Sequence, residues 1–311
     1  MQRFTLEQLS TLLALVSEGS FETAAARLHI TPSAVSQRVK AMEQAAGRVL
    51  VQRTTPVQLT GAGDTLLRYA RQVELLEADT LRELRTNQHE GGAFIVSLAV
   101  NADSLATWFL EALTGLGDRL GVAFDLHRED QERTTKLLRA GTVMAAVTST
   151  RDPVQGCISE ALGHMRYRAV ATPDFAARWL PDGPDLTTLG RAPVVAFERN
   201  DDLQESFLRK HAGAGSSGRI HYIPTSNDFA RAIVLGFGWG LLPEQQCVDE
   251  IAHERLIELA PTLAVDVALY WQRWNLTSPL LDAVSAAVRD EARTSLHSFS
   301  HSTARSVNDF S

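Results

Sequence analysis

Cysteine is nearly missing: Cys157 and Cys247 are the two in 311 residues, far apart and with no CxxC or His/Cys metal spacing. That excludes a disulfide scaffold and a zinc cluster, and both thiols are expected to act as small buried hydrophobes. No run approaches the roughly 20 consecutive apolar residues of a membrane span. The N-terminus lacks a basic stretch leading into an apolar one, so no secretory signal is read and the expected location is the cytoplasm, with no membrane partner. Catalytic signatures are also lacking: there is no nucleophile elbow, no HExxH and no Gly-Lys-Ser/Thr. Gly236-Phe-Gly-Trp-Gly240 follows a helical stretch and lacks the third glycine of a dinucleotide loop, so tight turning explains it better. His127 beside Glu129 and Asp130 has the makings of an acid–base set, but no nucleophile accompanies it. The expectation is a non-enzyme without cofactor or metal.

The chain does have an ordinary globular composition, 44% hydrophobic and 22% charged, with a net charge of -7. Its length calls for two or three units rather than one.

The most organised stretch is SFETAAARLHITPSAVSQRVKAMEQAAG, Ser20 to Gly47. Thr31 is a good N-cap and Pro32 suits the first helical position, so a helix opens there. Val35, Val39 and Met42 recur at i, i+4 and i+7 and face inward, leaving Ser33, Ser36, Gln37, Arg38 and Lys40 on the remaining surface. The preceding helix carries Ala24, Ala25 and Leu28 on its buried side, and the small alanines permit close, steep crossing. This is helix-turn-helix geometry. Between residues 27 and 53, Arg27, Arg38, Lys40, Arg48 and Arg53 face Glu43 alone, a surplus of four in an acidic chain. A local cationic face of this kind suits duplex DNA, with phosphates supplying affinity and base edges specificity. VLVQR and VQLT, around Thr54-Thr55-Pro56, read as a two-stranded wing. Arg53 on it is placed for the minor groove, or equally for a phosphate contact or plain solvation. Leu6, Leu9, Leu13 and Val16 mark a supporting first helix ending at Gly19.

With LTGAGDTLL following, this stretch resembles the N-terminal winged-helix domain of the LysR-type transcriptional regulators. VNADSLATW and APVVAFERND resemble more narrowly the ArgP/LysG/IciA-like branch, which controls basic amino-acid export. Ser36 and Gln37 match positions that family members use on bases, and Gln37 stands where a basic residue is frequent, which shifts the expected preference from guanine towards adenine.

From Thr60 to about Thr86, Leu66, Tyr69, Val73 and Leu76 are spaced 3, 4 and 3, an a/d seam. It fits a dimerising helix, which the resemblance favours, or packing against its own domain. Asn87 to Gly92 breaks it as a hinge. Beyond, AFIVSLAV, VAFDLH, VMAAVTS, RAPVVAF, RIHYIP and VALYW are strand-like, and helical stretches fall near 103–115, 130–140, 202–211, 226–236, 243–252 and 278–293. Such alternation indicates α/β architecture with parallel sheets. The expected fold is thus an α/β chain with a winged helix-turn-helix at residues 1–60, a linker helix and hinge at 61–91, and an effector-binding part at 92–295. Residues 296–311, Ser/His-rich and aperiodic, are expected to be a disordered tail. The resemblance implies two subdomains of periplasmic-binding-protein type, crossovers near 163–170 and 262–270, and a ligand cleft between them.

Ligands of open α/β sheets sit beyond the carboxyl ends of strands. That selects Asn101, Asp103, Ser104, Glu129, Asp130, Thr148, Asp202, Thr225 and Ser226, with Asp103, Ser104 and Asp202 foremost. The acids suit a cationic effector such as lysine or arginine, although the same residue types are the common helix caps. The expected function is a regulator that binds double-stranded DNA and a small effector, as a homodimer or homotetramer working with RNA polymerase on an amino-acid exporter gene. An architectural or replication-origin DNA binder and a thiol redox sensor are the alternatives.

Overall fold

Thr5, Ser20 and Thr31 each stand just before a helix, and each side-chain oxygen accepts a backbone N–H three residues on, from Gln8, Thr23 and Ala34. These caps satisfy donors that the first helical turn leaves free, and so set where α1 (Leu6–Glu18), α2 (Phe21–Arg27) and α3 (Pro32–Ala46) begin. A computed structural model of the chain describes residues 3–84, 94–129, 131–183, 185–213 and 215–299. After α3 come β1 (Val51–Gln52) and β2 (Gln58–Leu59), an antiparallel wing, and then α4 (Gly61–Leu84).

One core joins these elements: Leu9, Leu12, Leu15, Ala24, Val39, Met42, Leu50, Leu66, Leu67 and Ala70. Leu6 is instead 50% exposed. The stripe expected on α1 was one-sided, whereas α1 touches α2, α3 and α4 and so buries Leu12, Ala14 and Leu15 as well. Gly63 lets α4 approach the wing, since a Cβ there would lie 2.1 Å from the Leu50 carbonyl oxygen.

Helix α4 then leaves the headpiece and packs against the other half of the chain. Leu75 joins the large core there, Arg71 donates to the carbonyls of Gly141 (2.9 Å) and Thr142, and buried Asp79 accepts from Ser278 Oγ at 2.5 Å. The expected dimer seam is therefore divided. Leu66 is buried in the headpiece and Val73 packs partly onto it, while Tyr69 and Leu76 face outward, 42% and 43% exposed. A helix with partners on two sides has no single seam. The expected hinge at 87–92 lies outside the described residues.

The second half runs β3 (Phe94–Val100), α5 (Ala102–Thr107), α6 (Phe109–Leu113), α7 (Leu116–Leu120), β4 (Val122–Arg128), α8 (Gln131–Ala140), β5 (Ala145–Thr148) and β6 (Cys157–Ala171). It continues with α9 (Pro173–Trp179), α10 (Leu186–Leu189), β7 (Val194–Ala196), α11 (Leu203–Ala212), β8 (Ile220–Tyr222), α12 (Ser226–Val234), β9 (Gly240–Pro243), α13 (Glu244–Ala252), β10 (Ile257–Glu258), β11 (Val265–Trp274) and α14 (Pro279–Ser295). β3 is parallel to β4 and β5, and β7 to β8, as the βα alternation predicts. The long strands depart from that pattern: β11 is antiparallel to β5 and β6, and β6 is antiparallel to β9 and β10. β6 and β11 thus thread two lobes, one built on β3, β4 and β5, the other on β7, β8 and β9. The helical stretch expected at 103–115 is split into α5 and α6 by fully buried Trp108, whose φ of -136° breaks the helix.

The start of the expected tail is also ordered. Leu296 is buried, and His297 exchanges both backbone hydrogen bonds with His164 on β6. Gly163 makes room, because a Cβ there would meet the His297 carbonyl oxygen at 2.8 Å. Among the described residues, no helix is long and apolar enough to cross a membrane.

Candidate DNA-reading face and ligand cleft

On α3, Val35, Val39 and Met42 are buried, so Thr31, Pro32, Ser33, Gln37 and Lys40 are exposed and Ser36 half-exposed. These residues form a continuous outward face at the start of the helix, which is where a reading helix meets base edges. His29, with φ of +54°, makes the turn from α2 to α3. Arg38, expected on that outward surface, is half-buried instead. It bends back to α1, donating to Thr11 Oγ1 at 3.2 Å and pairing with Glu7 at 3.7 Å. Glu43 accepts from the Leu50 backbone N–H at 2.9 Å and so fastens α3 to the wing. Arg53 lies over the Phe21 ring, 5.1 Å from its centroid, on the wing side of the reader.

Between the two lobes lies a cavity of about 440 Å³. One wall is Asn101, Ala102, Asp103, Arg128, Glu129 and Arg133; the other is Phe197, Glu198, Asn200 to Gln204, Phe229, Leu241 and Pro243; Tyr167 and Val267 from the crossover strands form the floor. The lining carries Asp103, Glu129, Glu198, Asp201 and Asp202 against Arg128 and Arg133, so carboxylates outnumber guanidinium groups by five to two. Glu129 pairs with Arg133 at 3.0 Å. Tyr167 donates to Asp103 at 2.7 Å, and burial together with that carboxylate pushes the phenol well above its usual range, so it stays a donor. Burial raises the Asp201 carboxyl, although it accepts the N–H groups of Leu203 and Phe197. The carbonyl oxygens of the Asn101 and Gln204 side chains are buried and find no hydrogen-bond partner among the described residues. An unpaired buried acceptor is costly, and two of them beside a cleft invite a donor-rich ligand.

Capping positions and cleft-lining positions, indistinguishable in sequence, separate here. Asn101 and Asp202 occupy N-cap positions yet make no side-chain cap bond, and both line the cleft with Asp103 and Glu129. Thr225 does cap α12, accepting from Asp228 N–H, and does not line the cavity. Ser226 accepts from Gln246 at 3.0 Å and Thr148 Oγ1 accepts from the Thr150 N–H, while Ser104 is fully buried on α5 with its hydroxyl unpaired among the described residues; none of the three lines the cavity. Asp130 lies outside the described residues. Tyr167 and Arg128 were missed. The alternation of Met165, Tyr167 and Ala169, all buried, with more exposed arginines would have revealed β6 and its inward tyrosine. A larger open hollow of about 750 Å³, beside Arg3, Arg48, Leu66 and Tyr69, belongs to the headpiece surface rather than to the cleft.

Comparison with known proteins agrees with both halves. Residues 6–64 match the bacterial regulatory helix-turn-helix protein, lysR family, and residues 90–293 match the LysR substrate binding domain. A lysine export transcriptional regulatory protein LysG from Corynebacterium efficiens is 44% identical over 290 residues, covering 93% of this chain and 98% of the relative. The crystal structure of ArgP from Mycobacterium tuberculosis superposes with a TM-score of 0.86 at 41% identity, over 94% of this chain and 98% of that one. Full-length LysG from Corynebacterium glutamicum with bound effector Arg gives a TM-score of 0.78 at 40% identity, over 94% and 100%. These families are regulatory rather than catalytic. The chain belongs to the lysR family of bacterial helix-turn-helix transcriptional regulators.

Proposed function

We propose that this regulator takes a basic amino acid, arginine or lysine, into the cleft and controls an amino-acid exporter gene from the cytoplasm. The observation that carries the reading is the charge of the cleft, five carboxylates to two guanidinium groups, with two buried unpaired amide oxygens beside them. A neutral or acidic ligand would leave the surplus carboxylates without a counter-charge; a guanidinium or ammonium end supplies it. The relatives named for lysine export and solved with arginine support the same ligand class.

On the DNA side, Ser33, Ser36 and Gln37 are assigned to base edges and Lys40 and Arg53 to the backbone or minor groove, with Thr31 and Pro32 setting the entry of the helix. Arg38 braces the reader against α1. Tyr69, beside the headpiece hollow, and Leu76, further along α4, are both exposed and are assigned to a homodimer contact, with Val73 at its edge and a dimer of dimers as the full assembly. RNA polymerase is the expected protein partner. A thiol-sensing role fits poorly, since burial pushes Cys157 up to about 11 and Cys247 to about 12 and keeps both from reactive thiolate.

Footprinting upstream of a neighbouring transporter gene, with and without arginine and lysine, tests the reading. A protected site whose extent changes with either amino acid supports it. Protection without sequence preference and without response to either would favour the architectural binder instead.

A further inference from the structure

Within the acid-rich cleft, Arg128 is unlike its neighbours. Arg133, the other guanidinium, is paired with Glu129 at 3.0 Å. Arg128, at the end of β4, reaches across to the opposite lobe and donates Nη1–H to the Pro224 carbonyl oxygen at 2.7 Å. Pro224 directly precedes Thr225, the cap of α12. Among the described residues, no carboxylate lies within ion-pairing distance of Arg128, although Asp103, Glu129 and the acids of the facing wall share its cleft. Its present partner is therefore a neutral acceptor, while the walls around it repel anions.

A basic amino-acid effector brings two cationic groups and one carboxylate. The five acids account for the cations, but a carboxylate entering among them needs a positive partner or pays for its desolvation unaided. A guanidinium binds a carboxylate through two parallel N–H···O bonds, stronger than one bond to a neutral carbonyl. We propose that Arg128 takes the α-carboxylate of the effector, exchanging Pro224 for it, so that the residue selects amino acids over simple organic cations and lets go of the second lobe as it does so. The proposal rests on the cationic-effector reading above.

Agmatine, which is arginine without its carboxyl group, isolates this contact. Calorimetric titration of the full-length protein and of Arg128→Gln with L-arginine and with agmatine gives four affinities. The wild type prefers arginine by about tenfold or more, and Arg128→Gln brings the two ligands within about threefold by weakening arginine while agmatine is unchanged. Arg128 is exposed on a strand end, so the variant is expected to fold, and its agmatine affinity serves as the internal check. A preference that survives in the variant, an equal loss for both ligands, or a wild type that does not discriminate overturns the role of Arg128 and leaves the cationic reading standing. A wild type that binds neither ligand overturns that reading as well.

Discussion

Tyr167 donates its phenolic proton to Asp103 across 2.7 Å and so ties the crossover strand β6 to the first turn of α5 on the cleft floor. The tyrosine is 5% exposed and held neutral by burial, so Asp103 has a fixed orientation and a fixed hydrogen-bond donor through the neutral pH range. Tyr167→Phe removes the donor while keeping the ring. With Asp103 assigned to the cationic end of the effector, the expected result is a loss of about 1–2 kcal/mol in arginine affinity, with agmatine affected equally. An unchanged affinity in calorimetry would show that Asp103 does not touch the ligand.

Arg38 and Lys40 are both basic residues of the reading helix, yet Arg38 is engaged with Thr11 and Glu7 while Lys40 is exposed. Lys40→Ala should lower the salt dependence of DNA binding by roughly one counterion and weaken all sequences alike. Arg38→Ala should leave that slope nearly intact and instead lower the thermal stability of the headpiece. Gln37→Ala should cost about 1–3 kcal/mol on the best site and change sequence preference. Binding isotherms at several salt concentrations separate the three.

Gly63 cannot carry a side chain, since its Cβ would fall 2.1 Å from the Leu50 carbonyl oxygen. Backbone on one side and helix on the other leave nothing flexible to move. Gly63→Ala is expected to destabilise the headpiece by about 1–3 kcal/mol or more and to abolish DNA binding, while arginine binding in the remote cleft persists. Loss of both activities together would mean that the two halves do not fold independently.

Glu244 holds the end of α14 to the second lobe. Burial raises its carboxyl, but hydrogen bonds from His297 and Arg168 outweigh that and leave it below the usual carboxylate range. A depressed carboxyl stabilises the fold above its unfolded pKa of roughly 4.3, and the contribution is lost as pH falls through the lower folded value. The unfolding midpoint of the wild type should therefore drop more steeply on acidification below about pH 5 than that of Glu244→Gln. Leu296→Ala, beside the same contact, should cost about 2 kcal/mol or more by opening space in the large core.

The headpiece was the most legible part of the sequence because caps, small residues and periodicity agree there: Thr31, Pro32, Ala24, Ala25 and the Val35/Val39/Met42 stripe all do locally what they do in the fold. The seam on α4 was legible only in part: Leu66 and Val73 serve the headpiece and Leu75 and Asp79 the other half, Tyr69 and Leu76 stay exposed, and a heptad pattern cannot say how many partners a helix has. In the cleft, the strand-end acids Asp103, Glu129 and Asp202 were legible as a set, while the hydroxyls predicted beside them lie off its lining. Thr225 satisfies the backbone beside it, whereas Asn101 makes no cap bond and Asp202 accepts only from the Ser206 hydroxyl at 3.2 Å, and only the folded geometry distinguishes them. Arg128 and Tyr167 depend on which strands adjoin across the lobes, a relation between positions tens of residues apart that no local pattern encodes.

Citrulline has nearly the shape of arginine but carries a neutral urea in place of the guanidinium, so it probes the charge of the cleft directly. Calorimetry on the full-length protein should show arginine binding at least about tenfold tighter than citrulline, as paired charges in a partly buried site require. Equal binding of the two, or tighter binding of citrulline, would contradict a cleft built around carboxylates to hold a cation.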